Sequence, residues 1–112
     1  MVECTYNEGK KRVVVMIIQD LKSTTVGAAC TWLEEEWPLY RAKAPKQVYL
    51  DVRNLRVVDS TGMNWILLLL RACQEIKVPL TIQVASPAAM RVFKFAGLDK
   101  LTVLKYRYRK QL

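Results

Sequence analysis

The sequence predicts an α/β fold: one domain with a mixed, mostly parallel β-sheet of four to five strands and α-helices packed on it. Three observations support this prediction. Strand-like and helix-like segments alternate along the chain, as they do when helices connect the strands of one sheet. The length of 112 residues suits one domain with a buried core. The hydrophobic fraction of 52% and the charged fraction of 25% are ordinary for a globular protein.

The first half of the chain predicts two strands, a helix and a loop. The strands cover Met1–Tyr6 and Lys11–Gln19, and the apolar run in the second is typical of a central strand covered on both faces. We expect Ser23 to cap the following helix and Pro38 to end it. A basic surface loop is expected over Leu39–Lys46. The apolar stripe of the helix consists of Val26, Ala29, Cys30, Leu33 and Trp37.

The second half predicts further alternation of strands and helices. A strand over Gln47–Val52 precedes a long apolar helix over Met63–Ile76. A strand over Leu80–Ala85 follows, and then a helix between Ser86 as its N-cap and Gly97 as its C-cap. The segment Leu101–Tyr108 fits either a strand or a short terminal helix.

The most informative segment is the polar turn Asp59-Ser60-Thr61-Gly62, which joins a predicted strand to the long helix. A hydroxyl and a glycine at such a turn suit an N-cap, because the first N–H groups of a helix need acceptors. The same N–H groups and the helix dipole would also favour a phosphate. The turn by itself therefore leaves two interpretations open, a structural cap or a site of phosphorylation.

Three segments in order resemble the STAS domain of anti-sigma factor antagonists. They are Val48–Val58, the turn Asp59–Gly62 with the leucine-rich helix after it, and Ser86–Leu98 with its final Gly-Leu. The resemblance is strongest over residues 48–104 and extends back to about Arg12. It implies that residues 1–112 form a single STAS domain.

The resemblance also implies a function. Ser60 matches the serine that a partner kinase phosphorylates in such antagonists, and Thr61 is the weaker candidate. Asp59 would cap the helix and shape the surroundings of the serine, while Gly62 would allow a close backbone approach. The unphosphorylated protein would bind a serine kinase that acts as an anti-sigma factor, phosphorylation would release it, and a phosphatase would reset it. Such a regulator is bacterial and cytoplasmic, and it is not an enzyme.

The long helix carries a candidate partner-binding surface. Trp65, Leu68 and Ala72 form a second apolar stripe outside the main core arc, and exposed apolar patches often mark interfaces. We include Asn64 and Arg56 in this surface. The alternative is that Trp65 packs at the margin of the core and Leu68 is a single exposed leucine, which is common.

The sequence departs from the family pattern in three respects. Gln19 and Lys22 stand where members often carry Gly and Asp, so any role of that acidic residue with phosphate, nucleotide or metal is weakened here. Asn64 and Leu68 stand at helix positions that are often small or polar. The third departure is the net charge of +8, with a pI near 9.6.

The basic charge favours an acidic protein partner over nucleic acid, because no nucleic-acid-binding motif accompanies it. Tyr106 and Tyr108 interleave with basic residues and could stack on bases, which keeps the nucleic-acid alternative open. Arg53 and Arg56 could pair with a phosphate on Ser60. The basic residues cluster at Lys10–Arg12, Arg41–Lys46, Arg53 with Arg56, and Lys105–Lys110.

Composition argues against several other classes. The sequence has no histidine, which removes the commonest general base and metal ligand, so we expect no metal and no cofactor. Its three cysteines lack CxxC spacing and suggest free thiols, of which Cys30 and Cys73 are expected to be buried. No apolar run is long enough to cross a membrane, and the N-terminus does not resemble a signal peptide.

Two other functions remain as alternatives. The chain could be a constitutive STAS subunit that stabilises the ATPase of a lipid-transport complex, which the basic surface and the extra apolar stripe would suit. It could also be a STAS module that binds a nucleotide or another small molecule, although no glycine-rich phosphate loop is present.

Overall fold

The computed structural model describes residues 2–107, which form one five-stranded sheet with the strand order β1-β2-β3-β4-β5. β1 is antiparallel to β2, and every other neighbouring pair is parallel. The predicted mixed, mostly parallel sheet is therefore confirmed. The strands are Val2–Asn7 (β1), Arg12–Ile17 (β2), Gln47–Asp51 (β3), Leu80–Val84 (β4) and Val103–Tyr106 (β5).

Helical segments connect the parallel strands. Within residues 2–107, no helix is long and apolar enough to span a membrane. The segments are Gly27–Thr31 (α1), the π-helical turn Trp32–Glu36, Trp37–Arg41 (α2), Ser60–Glu75 (α3), Pro87–Phe95 (α4) and the 3₁₀ turn Leu98–Lys100.

The helices cover one face of the sheet, which corrects the prediction that the second strand is buried on both faces. The strands from β2 to β5 are added in one direction, and right-handed crossovers then place every connecting helix on the same side. In β2, Val13, Val15 and Ile17 are buried against that side. Val14 and Met16 point to the other face and are only half-buried.

The chain before the first helix also differs from the prediction. Ser23 does not cap a helix: α1 begins at Gly27 with Val26 as its N-cap, and no side chain caps it. The backbone N–H of Ser23 instead donates to Asp59 Oδ2 at 2.8 Å. The segment is held against a distant loop, so it forms a turn before the helix can start.

Pro38 does not end the first helical region, which continues through α2 to Arg41. The π-helical turn before it is closed by the Trp37 N–H, which donates to the Trp32 carbonyl five residues back. Pro38 then lies in the first turn of α2, where a missing N–H is tolerated. The predicted basic loop is therefore helical at its start, although Lys43 and Lys46 are exposed as expected.

The π-helical turn also changes which residues of this region are buried. Because it uses more residues per turn than an α-helix, the spacing of the apolar stripe shifts within it. Trp32 joins Val26, Ala29 and Trp37 in the core, which the predicted stripe missed. Cys30, which lies in α1 before this turn, is exposed, so its predicted burial is wrong.

α3 packs more deeply on the sheet than its sequence indicated. Its apolar arc lies in the core, and the predicted burial of Cys73 is confirmed. Trp65 is only 1% exposed and belongs to the core, whereas Leu68 is 43% exposed. The predicted stripe of Trp65, Leu68 and Ala72 is therefore wrong in its first member, and only the rest of it reaches the surface.

The last elements follow the sequence closely. Ser86 Oγ accepts a hydrogen bond from the Ala89 N–H at 3.0 Å, which confirms the predicted N-cap of α4. Gly97 has φ of 81°, the left-handed conformation expected where a helix ends. The terminal segment forms strand β5 rather than a helix. Tyr108 and the basic residues after it lie outside the described part of the chain.

The burial of α3 predicts that two alanine substitutions on neighbouring turns lower the free energy of unfolding by different amounts. Trp65→Ala should lower the free energy of unfolding by about 3–5 kcal/mol, because it leaves a large cavity in the core. Leu68→Ala should change it by no more than about 0.5 kcal/mol. Urea denaturation of both variants checks this, and equal small effects would contradict the burial of Trp65.

Candidate functional site at the start of helix α3

The candidate site forms where the loop after β2 meets the loop after β3. The Leu21 N–H donates to the Val57 carbonyl at 3.1 Å, and the Asp59 N–H donates to the Leu21 carbonyl at 3.1 Å. Leu21 and Val58 thereby form an isolated parallel bridge beyond the ends of the two strands. The start of α3 is consequently fixed relative to the sheet by backbone hydrogen bonds.

Asp59 links the helix to the facing loop. Its Oδ1 accepts from the Gly62 N–H at 2.9 Å, which confirms the predicted N-cap. Its Oδ2 accepts from the Ser23 N–H at 2.8 Å, a second role that the sequence did not indicate. The hydrogen bonds from Gly62 and then Ser23 lower the pKa of the Asp59 carboxyl below its usual value, since they stabilise the charged form.

Asp20 makes the reciprocal link and was missed by sequence reasoning. Its Oδ1 accepts from the backbone N–H groups of Arg56 at 2.8 Å and Val57 at 3.1 Å. These two hydrogen bonds, the one from Arg56 foremost, lower the pKa of the Asp20 carboxyl. In the sequence, Lys22 stands where family members often carry an aspartate. In the structure, Asp20 supplies a carboxylate two residues earlier. The only local signal was an acidic residue after an apolar strand.

Gly62 is required by the approach of another backbone. A Cβ atom at this position would lie 2.1 Å from the Leu21 carbonyl oxygen and 2.6 Å from its carbonyl carbon. The close approach predicted for Gly62 is therefore confirmed, and the atoms that make the approach belong to the β2 loop. Any side chain at residue 62 would push α3 away from that loop.

Ser60 and Thr61 are exposed in the first turn of α3. Asn64 and Leu68 are also exposed and follow Ser60 at intervals of four residues, so they lie on the same side of the helix. Ala72 continues this line and is half-buried. The exposed line that starts at Ser60 thus contains the predicted surface residues of α3 except Trp65.

The two arginines near the motif have different surroundings. Arg53 is held by Asp51, with Nε to Oδ1 at 2.9 Å and Nη2 to Oδ2 at 2.8 Å. Asp51 is buried, so this pair compensates a buried charge. Two donor groups of Arg53 are engaged in it, and the possible pairing of Arg53 with a phosphate on Ser60 stays a prediction. The Arg56 side chain is exposed, and its role near Ser60 stays a prediction.

A shallow polar depression of about 590 Å³ adjoins the two loops. Acidic, basic and amide side chains share its lining, which gives it no single charge preference. Within residues 2–107, no group of three Cys, Asp or Glu side chains is placed to hold a metal ion. The residues that line the depression include Gln19, Asp20, Lys22, Thr25, Asn54 and Arg56.

Comparison with known families and structures agrees with this architecture. The family model of the STAS domain matches residues 7–109. A search of curated proteins finds no match.

Several solved structures share the fold at low sequence identity. A Thermotoga maritima protein assigned as an anti-sigma factor antagonist has a TM-score of 0.78 and 16% identity, covering 96% of this chain and 86% of that one. A serine-to-glutamate variant of Moorella thermoacetica RsbS has a TM-score of 0.75 and 20% identity, covering 95% and 86%. The phosphorylated Bacillus cell fate determinant SpoIIAA has a TM-score of 0.66 and 16% identity, covering 97% and 93%.

The contact at Gly62 predicts a large difference between two glycine substitutions. Gly62→Ala should lower the free energy of unfolding by about 1–3 kcal/mol, because the new methyl group meets the Leu21 backbone rather than a flexible side chain. Gly27→Ala is the matched control: it lies in α1 with open space around it and should stabilise by about 0.4–1 kcal/mol. Chemical denaturation measures both, and a neutral Gly62→Ala would contradict the close approach.

The hydrogen bonds of Asp59 predict a pH dependence of stability. Its folded-state pKa is below the ordinary value of 3.8, so its stabilising effect is complete above pH 3.8 and is lost as the pH falls below that value towards the folded pKa. The difference in unfolding free energy between the wild type and Asp59→Asn should therefore shrink as the pH is lowered through this range. Urea denaturation at several pH values tests this, and a difference independent of pH would contradict it.

Proposed function

Because the chain belongs to the STAS domain family, we propose that it is a phosphorylation-controlled regulator of the anti-sigma factor antagonist type. Unphosphorylated, it binds a serine kinase that acts as an anti-sigma factor. Phosphorylation of Ser60 releases it, and a cognate phosphatase restores binding. The single observation that carries this proposal is an exposed Ser60 hydroxyl in a helical turn whose backbone is held by Asp59 and Gly62.

The first turn of α3 suits a phosphate without loss of structure. A phosphoserine adds about −1.5 to −2 charge, which the helix dipole favours at an N-terminus. The hydrogen bonds that join the two loops run between carboxylates or carbonyls and backbone N–H groups. They do not use the Ser60 hydroxyl, so phosphorylation leaves them intact. The fold therefore serves as a rigid support on which only the surface charge changes.

The energetic cost of the phosphate falls on the complex. A dianion at the centre of a protein interface must lose water, which costs several kcal/mol unless the partner supplies compensating charges. Each 1.4 kcal/mol is about a tenfold loss of affinity. A partner that covers Ser60 would thus be released by its own kinase activity. In this proposal Ser60 is a substrate, the protein itself is not an enzyme, and it works in the bacterial cytoplasm.

The proposal predicts a phosphate on Ser60 in the native host. Intact-mass analysis of the protein isolated from its host should show one phosphate that phosphatase removes. The phosphate should be absent in Ser60→Ala and present in Thr61→Ala, which is the matched control at the neighbouring exposed hydroxyl.

Binding measurements then distinguish a switch from a constitutive subunit. Ser60→Ala should keep the partner bound, while Ser60→Asp should weaken binding at least about tenfold, because it places a charge in the interface. A constitutive subunit of a larger complex, such as a lipid-transport ATPase, would retain its partner in both variants. Equal affinity of the alanine and aspartate variants would thus contradict the switch.

A further inference from the structure

An apolar cleft of about 210 Å³ opens beside the candidate site. One wall is the end of the loop after β3, where Val57 is 48% exposed. The other wall is α4, where Val92 is 43% exposed. The remaining lining residues are Leu55, Arg56, Val58, Ala88, Ala89 and Phe93.

The apolar surface continues from the cleft along α4. Ala88, Val92 and Phe95 are exposed at positions i, i+4 and i+7, so they form one stripe on the helix. Phe95 is 98% exposed, which means that almost none of its ring is covered by the described residues. A continuous apolar stripe beside an apolar cleft is typical of a surface that another molecule covers.

The charged groups around this surface are basic. Arg56 is the charged residue among those that line the cleft, and Arg91 is exposed on α4 next to Val92; the sequence of α4 contains no acidic residue. Asp20 is not among the residues that line the cleft, and its carboxylate accepts hydrogen bonds from the backbone N–H groups of Arg56 and Val57. The surface therefore complements a segment that combines apolar and acidic side chains.

We propose that this cleft docks an acidic amphipathic segment of the partner protein. An apolar side chain of the segment enters between Val57 and Val92, and its flanking carboxylates face Arg56 and Arg91. This inference rests on the proposed function, because it identifies the docking surface of the same partner that covers Ser60.

The position of the cleft connects docking to the switch. Val58 lines the cleft and Ser60 follows it by two residues, so their Cα atoms are separated by at most roughly 7 Å. This separation is shorter than the Debye length of about 8 Å in physiological salt. A phosphate on Ser60 would therefore place negative charge at the edge of the cleft, where it would disfavour the docking of a segment that carries carboxylates. An acidic segment in the cleft thus explains how one phosphate weakens a contact that is largely apolar.

NMR titration with a defined probe tests the docking surface. The probe is a synthetic peptide with leucine on one helical face and glutamate on the other, and the control peptide has lysine in place of each glutamate. The acidic peptide should shift the backbone amides of residues 55–58 and 88–95 in the ¹⁵N-labelled protein, and added salt should weaken binding. The basic control peptide should cause no such shifts.

Two surface substitutions make the test specific. Val92→Glu should lower the affinity for the acidic peptide at least about tenfold, through a lost apolar contact and an added repulsion. Leu39→Glu is the matched control, since Leu39 is also an exposed apolar residue, at 66%, but lies on α2, and it should leave the affinity unchanged. Shifts confined to other surfaces, or no loss of affinity in Val92→Glu, would overturn the docking proposal.

The Ser60→Asp variant separates this proposal from the proposed function. Weaker binding of the acidic peptide to Ser60→Asp supports both. If Ser60→Asp binds the acidic peptide as tightly as the wild type, and Val92→Glu still weakens that binding, the cleft is supported as a docking surface. Its electrostatic coupling to Ser60 is then overturned. If the acidic peptide does not bind at the cleft but the protein from its host carries a phosphate on Ser60, the docking proposal is overturned. The proposed phosphorylation switch is then still supported.

Discussion

The close approach between the Leu21 carbonyl and Gly62 is the constraint on which the rest of the site depends. It brings the start of α3 into contact with the loop after β2, and no residue with a side chain fits between them. The parallel bridge of Leu21 with Val58 and the two hydrogen bonds of Asp59 act at the same point. Several short-range interactions therefore fix the position of Ser60, which itself contributes none of them.

The one-sided architecture explains why the functional features share one end of the molecule. Parallel strands direct their carboxyl ends to one edge of the sheet, and the following loops gather there. The loops after β2 and β3 meet at that edge, and α4 begins beside them after β4. The turn at Ser60 and the α4 wall of the apolar cleft thus become neighbours through topology, although α3 and β4 separate them in the sequence.

In the proposed mechanism the two loops keep a fixed structure, and only the charge on the surface changes. Asp20 and Asp59 face backbone N–H groups and maintain this structure, so their charges are already compensated. The basic groups near the cleft point outward and remain available to a partner. Phosphorylation then alters only the outward charge, which suits a regulator that must change partners repeatedly without unfolding.

The sequence by itself determined the features that depend on residues close together in the chain. The caps at Asp59 and Ser86, the helix end at Gly97 and the succession of strands and helices along the chain belong to this class, because capping and periodicity act within a few residues. Only the tertiary structure decided the roles of Ser23 and Asp20, which bond to groups about 36 residues away. The same holds for Trp65, because periodicity defines an apolar face of a helix while packing decides how much of that face the sheet covers.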